Sequence, residues 1–128
     1  MNVSSALKSY SQVNVNAGVQ DASSHRLISM LFDGLFTRIA QAKGAMQQRD
    51  HETKGQRISE AMNILMGLRD SLDLDRGGEI AMNLEALYDY VQRTLMQAHI
   101  KNDQKMLDEC RDLLRNVSSA WNEIPPTP

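Results

Sequence analysis

The chain has 128 residues, of which 41% are hydrophobic, and it carries a formal net charge of −2 at pH 7 and a single cysteine. This length favours one domain with one hydrophobic core, and the absence of a segment dominated by Lys and Arg argues against nucleic-acid binding. Cys110 cannot form an internal disulfide, and the sequence has neither an apolar run of about 18 residues nor an apolar leader. These features predict a cytosolic protein without membrane insertion.

The first part of the chain has the composition of an irregular arm. Residues 1–22 are rich in Asn, Ser, Val and Gln and show no long periodic pattern. Leu7, Tyr10 and Val13 stand out in it, and their three-residue spacing predicts one short helical turn whose apolar edge lies on a groove. A terminus without fixed structure is the open alternative.

Helix 1 is predicted to begin at Ser23 or Ser24, whose hydroxyls suit an N-cap, and to end near Gln48. Gly34 interrupts it, and because a glycine inside a helix costs about 1 kcal/mol relative to alanine, we expect another helix or the arm to pack closely there. Apolar residues recur at three- and four-residue steps and form an inward stripe of Leu27, Leu31, Leu35, Ile39, Ala42 and Met46.

Helix 2 carries a similar stripe and is predicted to end in residues 73–78. Gly77 and Gly78 can adopt left-handed backbone angles, which would reverse the chain in few residues. The stripe of helix 2 consists of Ile58, Ala61, Met62, Leu65, Leu68 and Leu72.

Helices 3 and 4 complete the pattern. Asn102 or Asp103 is expected to cap helix 4, and Pro125-Pro126 stops it. The inward stripes are Ile80, Leu84, Leu87, Val91, Leu95 and Ala98 in helix 3, and Leu107, Cys110, Leu114, Val117 and Trp121 in helix 4. Four such helices with short links predict an all-α protein, an antiparallel four-helix bundle over residues 23–124, with the arm or a short helix packing on it and a disordered tail at 125–128.

No arrangement of residues indicates chemistry. Di-iron bundles need Glu-x-x-His on two helices, and none of the Glu residues here has a His three positions later. One Cys cannot build a zinc site, and the nucleophile candidates lie on core stripes without a paired base. We therefore expect no cofactor, no metal, no catalytic residue and no enzymatic activity.

Several apolar residues fall about 90° or more from the inward stripes, at groove edges or on the outer surface. A groove rich in methionine is how small helical proteins hold amphipathic partner helices. Scattered surface residues and a dimer interface are the alternatives. The residues concerned are Met30, Phe36, Ile64, Met82, Tyr90 and Met96.

Three segments resemble the family of bacterial flagellar secretion chaperones called FliS. They are HRLISMLFDG at 25–34, GGEIAMNLEALYDY at 77–90, and Asn102-Asp103 followed by a helix that ends in Ala120-Trp121. Order and spacing agree from Tyr10 to Trp121. One departure is Ser24, where the family pattern usually has Pro, and serine can still cap a helix there.

The resemblance implies a cytosolic helical bundle that binds the disordered C-terminal segment of flagellin, prevents premature polymerisation and aids delivery to the flagellar type III export gate. In that family an arm with a Tyr matching Tyr10 covers an apolar groove and is displaced by flagellin. We predict a monomer or weak dimer with flagellin and export-gate components as partners; a structural or regulatory homodimer is the alternative. The predicted partner-binding residues are Leu7, Tyr10, Met30, Ile64, Leu68, Met82, Tyr88, Tyr90 and Met96.

Overall fold

The computed structural model describes residues 24–124, and this part of the chain forms four helices and no strand. The helices are α1 (Ser24–Gln47), α2 (His51–Asp70), α3 (Leu74–Lys101) and α4 (Gln104–Glu123). The prediction of an all-α protein is confirmed. The predicted arm at 1–22 and tail at 125–128 lie outside the described residues.

Short polar side chains fix the helix ends. Asp50, Asp73 and Asp103 each accept a hydrogen bond from a backbone N–H two or three residues ahead, at 2.9 to 3.1 Å, and so cap α2, α3 and α4. Asn102 ends α3 in the left-handed conformation, with φ of 52°. The sequence predicted that either Asn102 or Asp103 caps the fourth helix. In the structure Asp103 caps α4, and Asn102 ends α3.

Each helix packs on the next, and α4 packs on α1, which closes a ring of antiparallel neighbours around one core. The most extensive contact joins α1 to α2, and Gly34 of α1 and Gly67 of α2 are both buried. That another helix or the arm packs closely at Gly34 stays a prediction. Most inward stripe residues are buried as predicted: Leu31, Leu35, Ile39, Ala42, Met46, Ile58, Ala61, Leu65, Leu68, Val91, Leu95, Ala98, Leu107, Cys110 and Leu114.

One stripe direction was wrong. The sequence places Ile64 outside the inward stripe of α2, whereas its side chain is only 8% exposed and belongs to the core. Because α1 packs so extensively on α2, the buried arc of α2 extends to the flank that carries Ile64 and Gly67, about 60° apart. Periodicity alone gives the mean direction of a stripe and not the width of the buried arc.

The link between α2 and α3 also differs from the prediction. α2 ends at Asp70, and residues 71–73 reverse the chain before Leu74 begins α3. Gly78 has the expected positive φ of 56°, with ψ of −133°, but it bends α3 after its first turn instead of reversing the chain. None of the helices within residues 24–124 is both long and apolar enough to cross a membrane.

Candidate functional site

An open apolar pocket of about 860 Å³ lies at one end of the bundle, where the first turns of α1 and α3 meet residues 71–73, between α2 and α3, and the last turns of α4. Most of its lining is hydrocarbon, with Ser24, Ser71, Asp73 and Asn116 as the polar side chains. The apolar side chains that line it are Leu27, Ile28, Phe32, Leu72, Ile80, Ala81, Leu84, Tyr88, Val117, Ala120, Trp121 and Ile124.

The pocket exists because the apolar stripe of α3 continues past the packed core. Ile80 and Val91 are eleven residues apart and share one helix face to within about 20°. Val91 is fully buried, yet Ile80 is 73% exposed. The prediction that Ile80 packs inward is therefore wrong for the described residues, since Ile80 points into an opening that they leave uncovered.

Trp121 forms part of the pocket wall and is fixed by His25. The two rings stack with centroids 4.6 Å apart and an interplanar angle of 12°. The Trp121 indole N–H donates to the His25 carbonyl oxygen at 3.0 Å. In return, Nε2 of His25 lies 2.8 Å from the Trp121 carbonyl oxygen, and since a carbonyl only accepts, Nε2 carries the proton. The start of α1 and the end of α4 are thus joined beside the pocket.

Tyr88 is the one predicted site residue among the described ones that lines the pocket. Its side chain is only 3% exposed, and burial raises the pKa of its hydroxyl to about 12. Tyr88 is therefore a neutral part of the pocket floor and of the core at the same time.

Three other predicted site residues do not line the pocket. Ile64 and Leu68 are buried in the core, and Met30 is half-buried on α1. Leu7 and Tyr10 lie outside the described residues, and their place in a binding site stays a prediction.

Met82, Tyr90 and Met96 are exposed on α3, as predicted, but they do not share one patch. Met82 and Met96 lie about 40° apart around the helix, whereas Tyr90 lies about 80° from Met82 and 120° from Met96. The Tyr90 hydroxyl donates to Glu109 of α4 at 2.5 Å, which raises the pKa of Tyr90. That these residues bind a partner stays a prediction.

Six of the pocket residues were assigned by the sequence to the inward stripes: Leu27, Leu72, Ile80, Leu84, Val117 and Trp121. Leu27, Leu72, Ile80 and Trp121 are the outermost members of their stripes, and the antiparallel arrangement brings all four to the same end of the bundle. The position of these four residues at one end of the predicted bundle was the signal for the pocket that the sequence contained.

The pocket is suited to holding apolar side chains and not to acid–base or metal chemistry. Among residues 24–124, no three His, Cys, Asp or Glu side chains come close enough to hold a metal ion. Asp73 is the charged side chain of the lining. Cys110 is fully buried in the core, away from the pocket, and burial raises the pKa of its thiol to about 12.

Comparisons with known proteins cover nearly the whole chain. The family model described as "Flagellar protein FliS" matches residues 6–128. The chain is 44% identical over 127 residues to "Flagellar secretion chaperone FliS" of Salmonella typhimurium, covering 98% of this chain and 94% of the relative. It is 46% identical over 119 residues to "Flagellar secretion chaperone FliSB" of Pseudomonas aeruginosa, covering 93% and 94%. For the FliS of Bacillus subtilis the identity is 32% over 123 residues, covering 96% and 88%.

Proposed function

This chain belongs to the FliS family of flagellar secretion chaperones, and on that premise we propose that it binds the disordered C-terminal segment of flagellin in the apolar pocket. Like the other members of this family, it acts as a chaperone in flagellar export. Binding in the cytosol keeps newly made flagellin from polymerising early and presents it to the flagellar type III export apparatus, whose gate components are further partners.

The observation that carries this proposal is the uncovered end of the α3 stripe. Ile80 is 73% exposed although it continues the face that carries the fully buried Val91 and Leu95. A soluble protein rarely leaves such a surface open unless a partner covers it. An amphipathic segment that becomes helical in the pocket would supply the missing apolar neighbours of Ile80, Leu84 and Trp121.

Coupled folding sets the expected affinity. A disordered segment gains the free energy of burying its apolar side chains, but it loses conformational entropy as it becomes ordered. The loss of conformational entropy offsets much of the free energy gained by apolar burial. Binding of moderate strength follows, and moderate binding allows release at the export apparatus.

The arm is proposed as the occupant of the pocket in the absence of flagellin. Ser24 lines the pocket, so the segment before it joins the bundle at the pocket edge. The chain between Tyr10 and Ser24 is long enough for Leu7 and Tyr10 to reach the apolar lining. Flagellin would then displace the arm, as the family resemblance implies.

Calorimetry with a synthetic C-terminal flagellin peptide tests the proposal. We expect binding with a large negative heat-capacity change, because apolar surface is buried. Trp121 is the single tryptophan and lines the pocket, so its emission should shift on binding. A peptide from the N-terminal end of flagellin is the matched control. Binding without a heat-capacity change, or without a change in Trp121 emission, would contradict burial in this pocket.

A homodimer is the second candidate function, and exposed apolar residues outside the pocket favour it. Met82 is 64% exposed and Ile100 66% exposed, on the outer side of α3. Light scattering after size exclusion separates the two functions. A dimer at every concentration that ignores the flagellin peptide would support the structural or regulatory alternative.

A further inference from the structure

The bend near the start of α3 depends on two glycines for two different reasons. Gly78 has φ of 56° and ψ of −133°, a conformation that residues with a side chain rarely adopt, although a Cβ there would meet nothing within 4 Å. A Cβ on Gly77 would lie 2.6 Å from the Cβ of Ala81, which is too close for two carbon atoms held by backbone. The backbone angles of Gly78 and the lack of space beside Gly77 therefore both favour glycine at this bend.

The bend brings two parts of the chain to the pocket. Asp73 caps the first turn of α3, and the Gly77 N–H donates to its carbonyl oxygen at 2.7 Å. Asp73 lines the pocket before this turn, and Gly77 and Ile80 line it afterwards. Residues 73–80 are all exposed, so burial in the core does not hold the bend.

We infer that Gly77 and Gly78 are positioning residues for the bound segment, an inference that rests on the proposed function. Their bend holds the first turn of α3 so that Asp73, before the turn, and Gly77, at its end, both lie in the pocket lining. With Gly78 in ordinary helical angles, α3 would run straight and carry this turn, with Asp73, along the helix axis and away from the lining. The pocket would then enclose an apolar segment on fewer sides and bind it more weakly.

The contact between Gly77 and Ala81 allows a test by rescue. Gly77→Ala introduces the clash with Ala81, and Ala81→Gly removes the atom that clashes. The double variant Gly77→Ala/Ala81→Gly should therefore restore the bend, with Ala81→Gly alone as its reference. Gly78→Ala imposes backbone strain without a clash. Gly44→Ala is the matched control, because Gly44 lies in α1 and a Cβ there meets nothing within 4 Å.

Two probes are measured for every variant: calorimetric binding of the C-terminal flagellin peptide, and binding of the apolar dye 8-anilinonaphthalene-1-sulfonate. We expect Gly77→Ala and Gly78→Ala each to weaken peptide binding about tenfold, the free-energy equivalent of one strained residue. The double variant should bind within about threefold of Ala81→Gly, and Gly44→Ala should bind like the unchanged chain. Hydrogen exchange of residues 71–81 should speed up only in the two weakened variants.

The possible outcomes separate a failure of the inference about the bend from a failure of the proposed function. Unchanged binding of both probes by Gly77→Ala and Gly78→Ala, or no rescue in the double variant, would overturn the inference and leave flagellin binding intact. If the unchanged chain binds the dye but not the peptide, the proposed function fails. In that case loss and rescue of dye binding would still support the bend as a wall of the pocket. Should Gly78→Ala fail to fold, the Gly77 and Ala81 variants decide.

Discussion

His25 and Trp121 hold each other by two backbone carbonyls and one ring stack: the indole donates to the His25 carbonyl at 3.0 Å, and the imidazole donates to the Trp121 carbonyl at 2.8 Å. These residues are 96 positions apart, and the pair joins the two ends of the described bundle. It also fixes the ring that forms a wall of the pocket. A small number of contacts at this end therefore affects both stability and binding.

His25→Ala should lower the free energy of unfolding by about 2 kcal/mol, since it removes a ring stack and the side-chain hydrogen bond to Trp121. Urea denaturation followed by circular dichroism measures the change. Asn122→Ala, at the position next to Trp121, is the control, because it removes only the exposed bond from Ser29 at 3.2 Å and should cost less than about 0.5 kcal/mol. Equal effects of the two variants would show that the pair does not join the helices.

Ile80→Asp should weaken binding of the flagellin peptide at least tenfold, because it places a carboxylate where we expect an apolar side chain of the partner. Ile80 is 73% exposed, so the melting temperature should stay nearly unchanged. Leu95→Asp is the control in the core: Leu95 is fully buried, and an unpaired carboxylate there should cost more than about 4 kcal/mol. A similar loss of stability in both variants would place Ile80 in the core.

The four helices could be predicted from periodicity because core stripes repeat at the helical period over their whole length. What periodicity does not contain is the point where a stripe leaves the core. Ile80 and Leu95 look equivalent in the sequence, yet one is 73% exposed and the other fully buried. This difference in exposure depends on where the neighbouring helices begin and end along α3, which only the three-dimensional fold determines.

Lys54 illustrates a second limit of the sequence. A lysine on an amphipathic helix is expected to point to solvent, but Lys54 is only 5% exposed. Its ammonium group donates to the His99 carbonyl oxygen at 3.2 Å and to the Asn102 side chain at 3.1 Å. A positive charge is stabilised at the negative end of a helix, here the C-terminus of α3. The position of that end relative to α2 is fixed only by the fold.

The ion pair of Lys43 and Asp108 should make stability depend on pH in the acidic range. A hydrogen bond and the charge of Lys43, at 2.8 Å, hold the pKa of Asp108 below its ordinary 3.8. A lowered folded pKa contributes stability above the unfolded value, and the contribution is lost as the pH falls through the folded value. Because both side chains are about one-third exposed, the contribution at pH 7 should stay below about 1 kcal/mol.

Asp108→Asn in urea denaturation at pH 7 and at pH 3 measures this contribution. The difference in stability between variant and unchanged chain should shrink at pH 3. Asp112→Asn, at a carboxylate that is 66% exposed, should show a smaller difference at pH 7. A difference that grows as the pH falls would contradict the sign of the linkage.

Cys110 should be inert towards Ellman's reagent in the folded protein. Its side chain is fully buried, and burial raises the pKa of the thiol to about 12, so neither access nor thiolate is available near neutral pH. Addition of guanidinium chloride should release one equivalent of reactive thiol. Ser119→Cys, on the exposed side of α4, is the positive control and should react at once. Rapid reaction of native Cys110 would mean that α4 opens from the core.

Removal of the arm should tighten flagellin binding if the arm competes for the pocket. Deleting residues 2–15 removes Leu7 and Tyr10, and the measured dissociation constant then falls by the fraction of pockets that the arm had occupied. A fall of about tenfold is expected if the arm covers nine pockets in ten.

The variant that carries Leu7→Ser and Tyr10→Ser keeps the length of the arm and should tighten binding to the same extent, which separates apolar contact from mere bulk. Both variants should also self-associate more at high concentration, because the apolar pocket is left open. Weaker binding after deletion would mean that the arm contacts flagellin in the complex, and an NMR spectrum in which Tyr10 behaves the same with and without flagellin would exclude both roles.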